Sequence, residues 1–140
     1  MHNEINQGRT TMRKFTFITC TAFLVLATQA GSFAQGMMPD GVKANGTVLT
    51  DAKGMTLYTY DNDKEPGKSS CVDKCLAAWP AAIAPAGTKA SGNFSIIKRD
   101  DGTQQIAYQG KPLYTFAQDK NPGDIHGDGR GKVWHMVMPE

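Results

Sequence analysis

Gly54-Met-Thr-Leu-Tyr-Thr-Tyr-Asp-Asn-Asp-Lys-Glu-Pro-Gly67 recurs 56 residues later as Gly110-Lys-Pro-Leu-Tyr-Thr-Phe-Ala-Gln-Asp-Lys-Asn-Pro-Gly123. Eight of the fourteen positions are identical without a gap, and a ninth is aromatic in both copies. With one deletion, Trp79 aligns with Trp134, so each copy runs from an aromatic strand through a Pro-Gly turn to a tryptophan. Two copies are too few for an open solenoid, which needs about three or more repeats. The repetition therefore predicts one compact domain with internal pseudo-two-fold symmetry.

Each copy is predicted to consist of short strands joined by turns. Turn-forming residues occupy 51–54 and 99–102, and Asp101-Gly102 is a strong hairpin signal. One short helix is predicted over residues 69–79, capped by Ser69 or Ser70 and ended by Pro80. The predicted strands cover residues 47–50, 55–60, 93–98, 104–108, 113–116 and 132–137. The expected fold is mainly β, with two β-meander repeats and one short helix at the Cys-x-x-x-Cys segment.

Alternation along the repeated strand separates two faces. Leu57 and Thr59 point to one face of the strand, and Tyr58 and Tyr60 point to the other. The second copy repeats the aromatic pattern at residues 114 and 116. The four aromatic rings form either part of the core or a platform for a ligand.

Residues 1–34 have the pattern of a cleaved export signal. Basic residues Arg13 and Lys14 precede an apolar stretch at 15–30, and small residues at 32 and 34 match a signal-peptidase site. A membrane anchor would need about 18 or more consecutive apolar residues. We therefore expect cleavage after Ala34, a flexible linker at 35–44 and a tandem-repeat domain at 45–140. Repeat 1 spans about 45–82 and repeat 2 about 93–138.

Charge argues against a nucleic-acid partner. The whole chain has 15 basic and 13 acidic residues, for a net charge of +2. Removing residues 1–34 takes away three basic residues and one acidic residue, which leaves equal numbers of basic and acidic residues. Binding to phosphates requires a clustered positive field. The expected partner is instead a small ligand or an envelope protein, and no transmembrane segment is expected after signal removal.

The repeated motif resembles that of a known family. Tyr-x-aromatic-x-x-Asp occurs as Tyr58, Tyr60 and Asp63, and again as Tyr114, Phe116 and Asp119. It is similar to the Y-x-(F/W/Y)-x-x-D motif of a bacterial secreted-repeat lipoprotein family, and the likeness covers residues 45–138. The resemblance implies an exported protein of unestablished activity. Its expected location is the periplasm or the outside of the cell, and association with the envelope is a further option. The chain departs from the lipoprotein pattern in lacking a cysteine at the cleavage point.

Two cysteines remain after signal removal. Cys71 and Cys75 are spaced i, i+4, and an even pair in an oxidising compartment usually forms a disulfide. Such a bridge would require a distorted turn, because the Cβ atoms of a regular helical pair lie too far apart. The alternative is a Cu(I) site in which both thiolates bind copper with His135 and Met136.

The acidic residues have two interpretations. Asp63 and Asp119 each follow a repeated strand, and we expect their carboxylates to accept hydrogen bonds from turn backbone N–H groups. The Gly-Asp-rich run at 124–131 either binds a hard cation through oxygens or forms plain turns. His126, in that run, is expected to face solvent.

Motifs of hydrolases, metalloproteases and phosphate-binding loops do not occur in the sequence. We therefore predict a non-catalytic binding or structural module of the cell envelope or periplasm that needs no cofactor. The alternative is a periplasmic copper-binding or thiol redox protein that uses Cys71 and Cys75.

Overall fold

Short antiparallel strands dominate the fold. The computed structural model describes residues 38–140. The predicted signal peptide and the first residues of the predicted linker lie outside the described residues. The elements are β1 (Val42–Asn45), β2 (Val48–Asp51), β3 (Tyr58–Tyr60), α1 (Lys74–Ala78), β4 (Phe94–Lys98), β5 (Gln104–Tyr108), β6 (Lys111–Pro112) and β7 (Trp134–Met136). The mainly β fold with one short α-helix is as predicted.

The first hairpin pairs β1 with β2 from Val42↔Asp51 to Asn45↔Val48. A two-residue connection joins the strands, and its first residue, Gly46, has a φ of 63°, which glycine adopts without steric cost. This hairpin corrects the predicted linker 35–44, because β1 begins at residue 42. The Gly46-Thr47 turn thus makes residues 42–45 part of the folded domain.

The second hairpin follows the sequence prediction closely. β4 pairs with β5 from Phe94↔Tyr108 to Lys98↔Gln104, around the predicted Asp101-Gly102 turn. β6 adds a third strand to this sheet through Ala107↔Pro112. The segments predicted at 93–98 and 104–108 are therefore confirmed as strands.

The strands that carry the repeated motif are shorter than predicted. β3 pairs with β7 over only three residues, Tyr58↔Met136 to Tyr60↔Trp134. In the predicted strand 113–116, Tyr114 forms isolated bridges with Tyr58 on one side and Ala81 on the other. The ladders are short because the chain turns into and out of them within a few residues, as in the 3-10 helix at Arg130–Lys132 just before β7.

The helix is also shorter than predicted. The expected helix at 69–79 is reduced to Lys74–Ala78, and neither Ser69 nor Ser70 caps it. Ser70 instead donates hydrogen bonds from its N–H and its hydroxyl to Asp63. Asp73 precedes the helix with a φ of 49°, which is the distorted turn that the cysteine spacing requires. The helix ends at Ala78 and its C-cap is Trp79, immediately before Pro80, as predicted.

The two strand faces lead to two separate cores. Leu57 and Leu113 are fully buried in a mainly aliphatic core that also contains Leu49, Ile106, Val137, Phe94 and Tyr108. On the opposite face lies an aromatic core that consists of Tyr58, Tyr114, Trp79, Trp134, Phe116 and Cys71. Alternation in the motif strand thus sends each leucine to one core and the following tyrosine to the other. No helix within residues 38–140 has the length and apolar character needed to cross a membrane.

Each Pro-Gly turn packs on the other repeat. The N–H of Gly67 donates to the carbonyl of Gly110, and the N–H of Gly123 donates to the carbonyl of Gly54. Pro66 lies against Gly110, and Pro122 lies against Gly54. A Cβ atom at residue 54 would be only 3.0 Å from the Cβ of Pro122. The repeated glycines therefore leave room for the proline of the other repeat.

We expect Gly54→Ala to destabilise the fold more than Gly87→Ala does. The two glycines have nearly equal φ angles, 86° and 84°, but nothing lies within 4 Å of a Cβ at residue 87. The left-handed conformation costs an alanine about 1–2 kcal/mol at either site. At residue 54, crowding against Pro122 should add about 1 kcal/mol or more. Urea unfolding gives the free energy of unfolding of both variants. Equal losses would show that the close Gly54–Pro122 contact does not contribute to the cost of the substitution.

Candidate functional site

Tyr58 and Tyr114 meet at the centre of the domain. The N–H of Tyr58 donates to the carbonyl of Tyr114 over 2.8 Å, and the N–H of Tyr114 donates to the carbonyl of Tyr58 over 2.9 Å. Both residues are fully buried. Since the same motif position of each repeat bonds to its counterpart, the local two-fold axis passes between these two residues.

The side chains of the two motifs are exchanged. The Tyr58 hydroxyl donates to Asp119 Oδ2 over 2.6 Å. The Tyr114 hydroxyl donates to Asp63 Oδ2 over 2.7 Å. Both aspartates are buried. We call these hydrogen bonds the crossed Tyr–Asp pairs, because each tyrosine binds the aspartate of the other repeat.

The other oxygen of each carboxylate binds within its own repeat. Asp63 Oδ1 accepts hydrogen bonds from the N–H and the hydroxyl of Ser70, each 2.6 Å long. Asp119 Oδ1 accepts from the N–H of His126 over 2.9 Å. Ser70 and His126 occupy equivalent positions, seven residues after their aspartates. The expectation that these aspartates accept backbone hydrogen bonds is confirmed.

Burial raises the pKa of both phenols well above the ordinary tyrosine value. For Tyr58, the hydrogen bond to Asp119 adds to the desolvation. For Tyr114, desolvation outweighs the opposing effect of Ser69, and the bond to Asp63 also raises the pKa. Both phenols therefore remain protonated donors at neutral pH, and neither can act there as a base.

An aromatic stack closes the same core. The ring centroids of Trp79 and Trp134 lie 3.7 Å apart in nearly parallel planes. Tyr60 stacks on the outer face of Trp134 at 4.2 Å, and Phe116 stacks on Trp79 at 4.3 Å. Each tryptophan thus carries the aromatic ring of the other repeat. The predicted aromatic face forms core, with Tyr58, Tyr114 and Phe116 buried and Tyr60 half-buried.

A buried arginine supports the first of the two aspartate sites. The Arg99 guanidinium donates to Ser69 Oγ over 2.8 Å, and Ser69 Oγ lies 2.6 Å from the Tyr114 hydroxyl. Arg99 also donates to Gln105 Oε1 and to the carbonyl of Cys71. Sequence reasoning missed Arg99, because it stands in a hairpin turn whose residues are usually exposed.

The second aspartate site has a histidine and a further acid. His126 Nδ1 lies 3.1 Å from Asp119 Oδ1 and 3.8 Å from Asp124 Oδ2. Asp124 Oδ2 accepts hydrogen bonds from the N–H groups of Asn121 and Lys120, each 2.9 Å long. These bonds hold the pKa of Asp124 below its ordinary value. His126 is largely exposed, as expected, but one ring nitrogen faces the buried acid.

The structure joins Cys71 and Cys75 in a disulfide. Neither sulfur is then the thiolate that binds a metal. Met136 is partly buried against the aromatic core, whereas His135 lies on the exposed side of β7 with Nε2 2.8 Å from Asp61 Oδ2. In this oxidised form, the sulfurs of the hypothetical copper site are bonded to each other and His135 is paired with an acid.

Comparison with known proteins agrees with the internal repeat. A family model described as a secreted repeat of unknown function matches the chain twice, at residues 41–83 and 95–138. Curated proteins and solved structures gave no match.

We expect Tyr58→Phe to lower the free energy of unfolding by about 1–3 kcal/mol, because buried Asp119 Oδ2 loses its donor. Tyr114→Phe should have a similar effect through Asp63. Tyr60→Phe is the matched control, since its hydroxyl only accepts an exposed hydrogen bond from Asn62. Urea unfolding compares the three variants. Equal, small losses in all three would contradict a stabilising role for the crossed pairs.

The same phenols should make the protein sensitive to alkali. The folded state favours the protonated phenols, so their contribution to stability is complete below the ordinary tyrosine pKa of about 10. The contribution falls as pH rises above that value, because the unfolded chain then loses these protons more readily than the folded one. Each tyrosine should lower the free energy of unfolding by about 1.4 kcal/mol per pH unit above that point. Urea unfolding between about pH 9 and pH 11.5 should give a slope that decreases stepwise from the natural protein to Tyr58→Phe and to the double Phe variant. Identical slopes would refute this origin of alkaline instability.

Proposed function

Because this chain belongs to the family of secreted repeats of unknown function, we propose that it acts as a rigid, non-catalytic binding module of the cell envelope. It works outside the cytoplasmic membrane. Its repeated motif holds the fold together, and its binding surface lies elsewhere.

The crossed Tyr–Asp pairs are the main observation in support of a non-catalytic role. A general acid or base must reach a substrate proton. Tyr58 and Tyr114 are fully buried, and their hydroxyls are bonded to Asp119 and Asp63. Within residues 38–140, every buried side-chain nitrogen and oxygen has a hydrogen-bond partner. The titratable side chains of the repeated motif thus bind one another and do not face a substrate.

The binding role rests on an apolar cavity at the first hairpin. The cavity has a volume of about 450 Å³, which falls within the range of small-molecule sites. Phe94, Tyr108 and Ala44 of β1 line it. Met38, Met138 and Pro139 add further apolar surface, and Asn93 and Thr47 supply polar groups to the lining. A small, largely apolar ligand fits this lining.

An apolar fluorophore tests the binding role. The exported chain should bind N-phenyl-1-naphthylamine saturably, with a fluorescence increase that reports transfer from water to the cavity. Ala44→Trp places a large side chain in the lining and should weaken binding at least about tenfold, a loss of about 1.4 kcal/mol. Lys43→Trp adds the same side chain to the opposite face of β1 and should leave binding unchanged.

Thermal unfolding of both tryptophan variants checks that the fold is intact. Absence of saturable binding, or an equal loss in the two variants, would overturn the assignment of the cavity as the ligand site.

A further inference from the structure

Two of the differences between the repeats place new ligand-type side chains near the second of the equivalent aspartates. At the constant offset of 56 residues, Lys68 and Ser70 of the first repeat correspond to Asp124 and His126 of the second. The flanking Pro-Gly turn is the same in both. The second repeat therefore has a carboxylate and an imidazole where the first has an ammonium and a hydroxyl.

These two side chains converge with Asp119. One ligand-type atom from each residue lies within 4.8 Å of the other two. Zinc binds nitrogen and oxygen at about 2.0–2.2 Å, so neighbouring ligands of one ion are separated by about 3–4 Å. The separations from His126 Nδ1 to Asp119 Oδ1 and to Asp124 Oδ2 are 3.1 Å and 3.8 Å. A single ion can therefore be reached by all three groups with small side-chain adjustments.

The charges at the two aspartate sites are balanced differently. In the first repeat, the Arg99 guanidinium is linked to the Tyr114–Asp63 pair through Ser69. In the second repeat, the Asp119 side chain is 1% exposed, and its ion-pair partner among residues 38–140 is His126, which is charged only when protonated. Buried carboxylates are usually paired with a cation or bound to a metal.

Nearby basic side chains do not supply that cation. Lys120 Nζ donates to the carbonyl of Ala117. Arg130 donates to Gln118 Oε1 and to the carbonyl of His126, and its guanidinium lies over the Phe116 ring. Both cationic groups are thus engaged away from the carboxylate oxygens of Asp119 and Asp124.

The ligand-type groups are oriented and accessible. The Tyr58 hydroxyl holds Asp119, and two backbone N–H groups hold Asp124. Such outer hydrogen bonds orient metal ligands in known sites. The His126 side chain is 62% exposed and that of Asp124 is 21% exposed, so an ion can enter from solvent.

We propose that Asp119, Asp124 and His126 bind one divalent transition-metal ion of the zinc class, with solvent completing the coordination. Imidazole together with carboxylates suits zinc, whereas calcium and magnesium prefer oxygen ligands alone. The site lies in the turn of the second repeat and shares no residue with the apolar cavity. Metal binding and ligand binding can therefore succeed or fail independently.

Zinc titration of the chelator-treated exported chain tests the site. Calorimetry and competition with a zinc indicator should give one Zn²⁺ per chain, and excess Ca²⁺ should not displace it. His126→Ser introduces the residue of the first repeat and should weaken zinc binding at least about tenfold, as should Asp124→Asn. His135→Ser is the matched control, because His135 is an exposed histidine paired with one aspartate. It should bind zinc as the natural protein does.

Thermal unfolding without metal establishes that each variant folds, and added Zn²⁺ should raise the midpoint only when the site is intact. The proposal is overturned if the natural protein does not bind zinc with a Kd below about 1 mM. It is also overturned if His126→Ser retains full affinity, if His135→Ser loses as much, or if Ca²⁺ displaces the zinc.

Discussion

Two buried carboxylates depend on phenol groups from the opposite half of the chain. Asp63 and Asp119 are removed from water, so each needs donors that remain in place. One donor comes from the local turn and another from the tyrosine of the other repeat. Neither repeat can therefore satisfy its own motif. The paired backbone bonds of Tyr58 and Tyr114 and the exchanged Pro-Gly turns reinforce the same dependence.

The symmetry breaks where the surroundings of the two carboxylates differ. Cys71 of the first repeat is bonded to Cys75, and the equivalent of Cys71 in the second repeat is Gly127. A Cβ at residue 127 would lie 2.8 Å from Tyr58 Cζ and 2.9 Å from Trp79 Cη2. Glycine there brings the loop close to Tyr58, to which Gly127 also donates a hydrogen bond. The first repeat is thus held by a disulfide and Arg99, and the second by close backbone packing.

Much of the architecture follows from local patterns. The Asp101-Gly102 hairpin and the split of Leu57 and Tyr58 between two cores follow from turn chemistry and the two-residue period of a strand. The helix start could not be predicted, because the preference of Ser70 for Asp63 over a helix N-terminus is a tertiary effect. The bond from Tyr58 to Asp119 spans 61 residues, and no local pattern indicates which tyrosine meets which aspartate. Arg99 was missed because its position in a hairpin turn predicts an exposed side chain, whereas its bonds to Ser69 and to the carbonyl of Cys71 come from a distant part of the chain.

The exchanged contacts have the form of an isologous interface, in which a contact from one residue of the first half to a second residue of the other half is repeated in the reverse sense. A symmetric homodimer of a half-length chain would make the same contacts between two subunits. In a homodimer, every substitution occurs in both subunits and changes both symmetry-related sites. Covalent linkage of the two halves allows one site to change alone. In a fused chain, one half can acquire Asp124 and His126 while the other keeps Lys68 and Ser70. Linkage also makes the association of the two halves intramolecular, so that it depends on a high effective concentration and not on the concentration of subunits. Joining the halves thus frees one aspartate site to diverge while the other continues to support the fold.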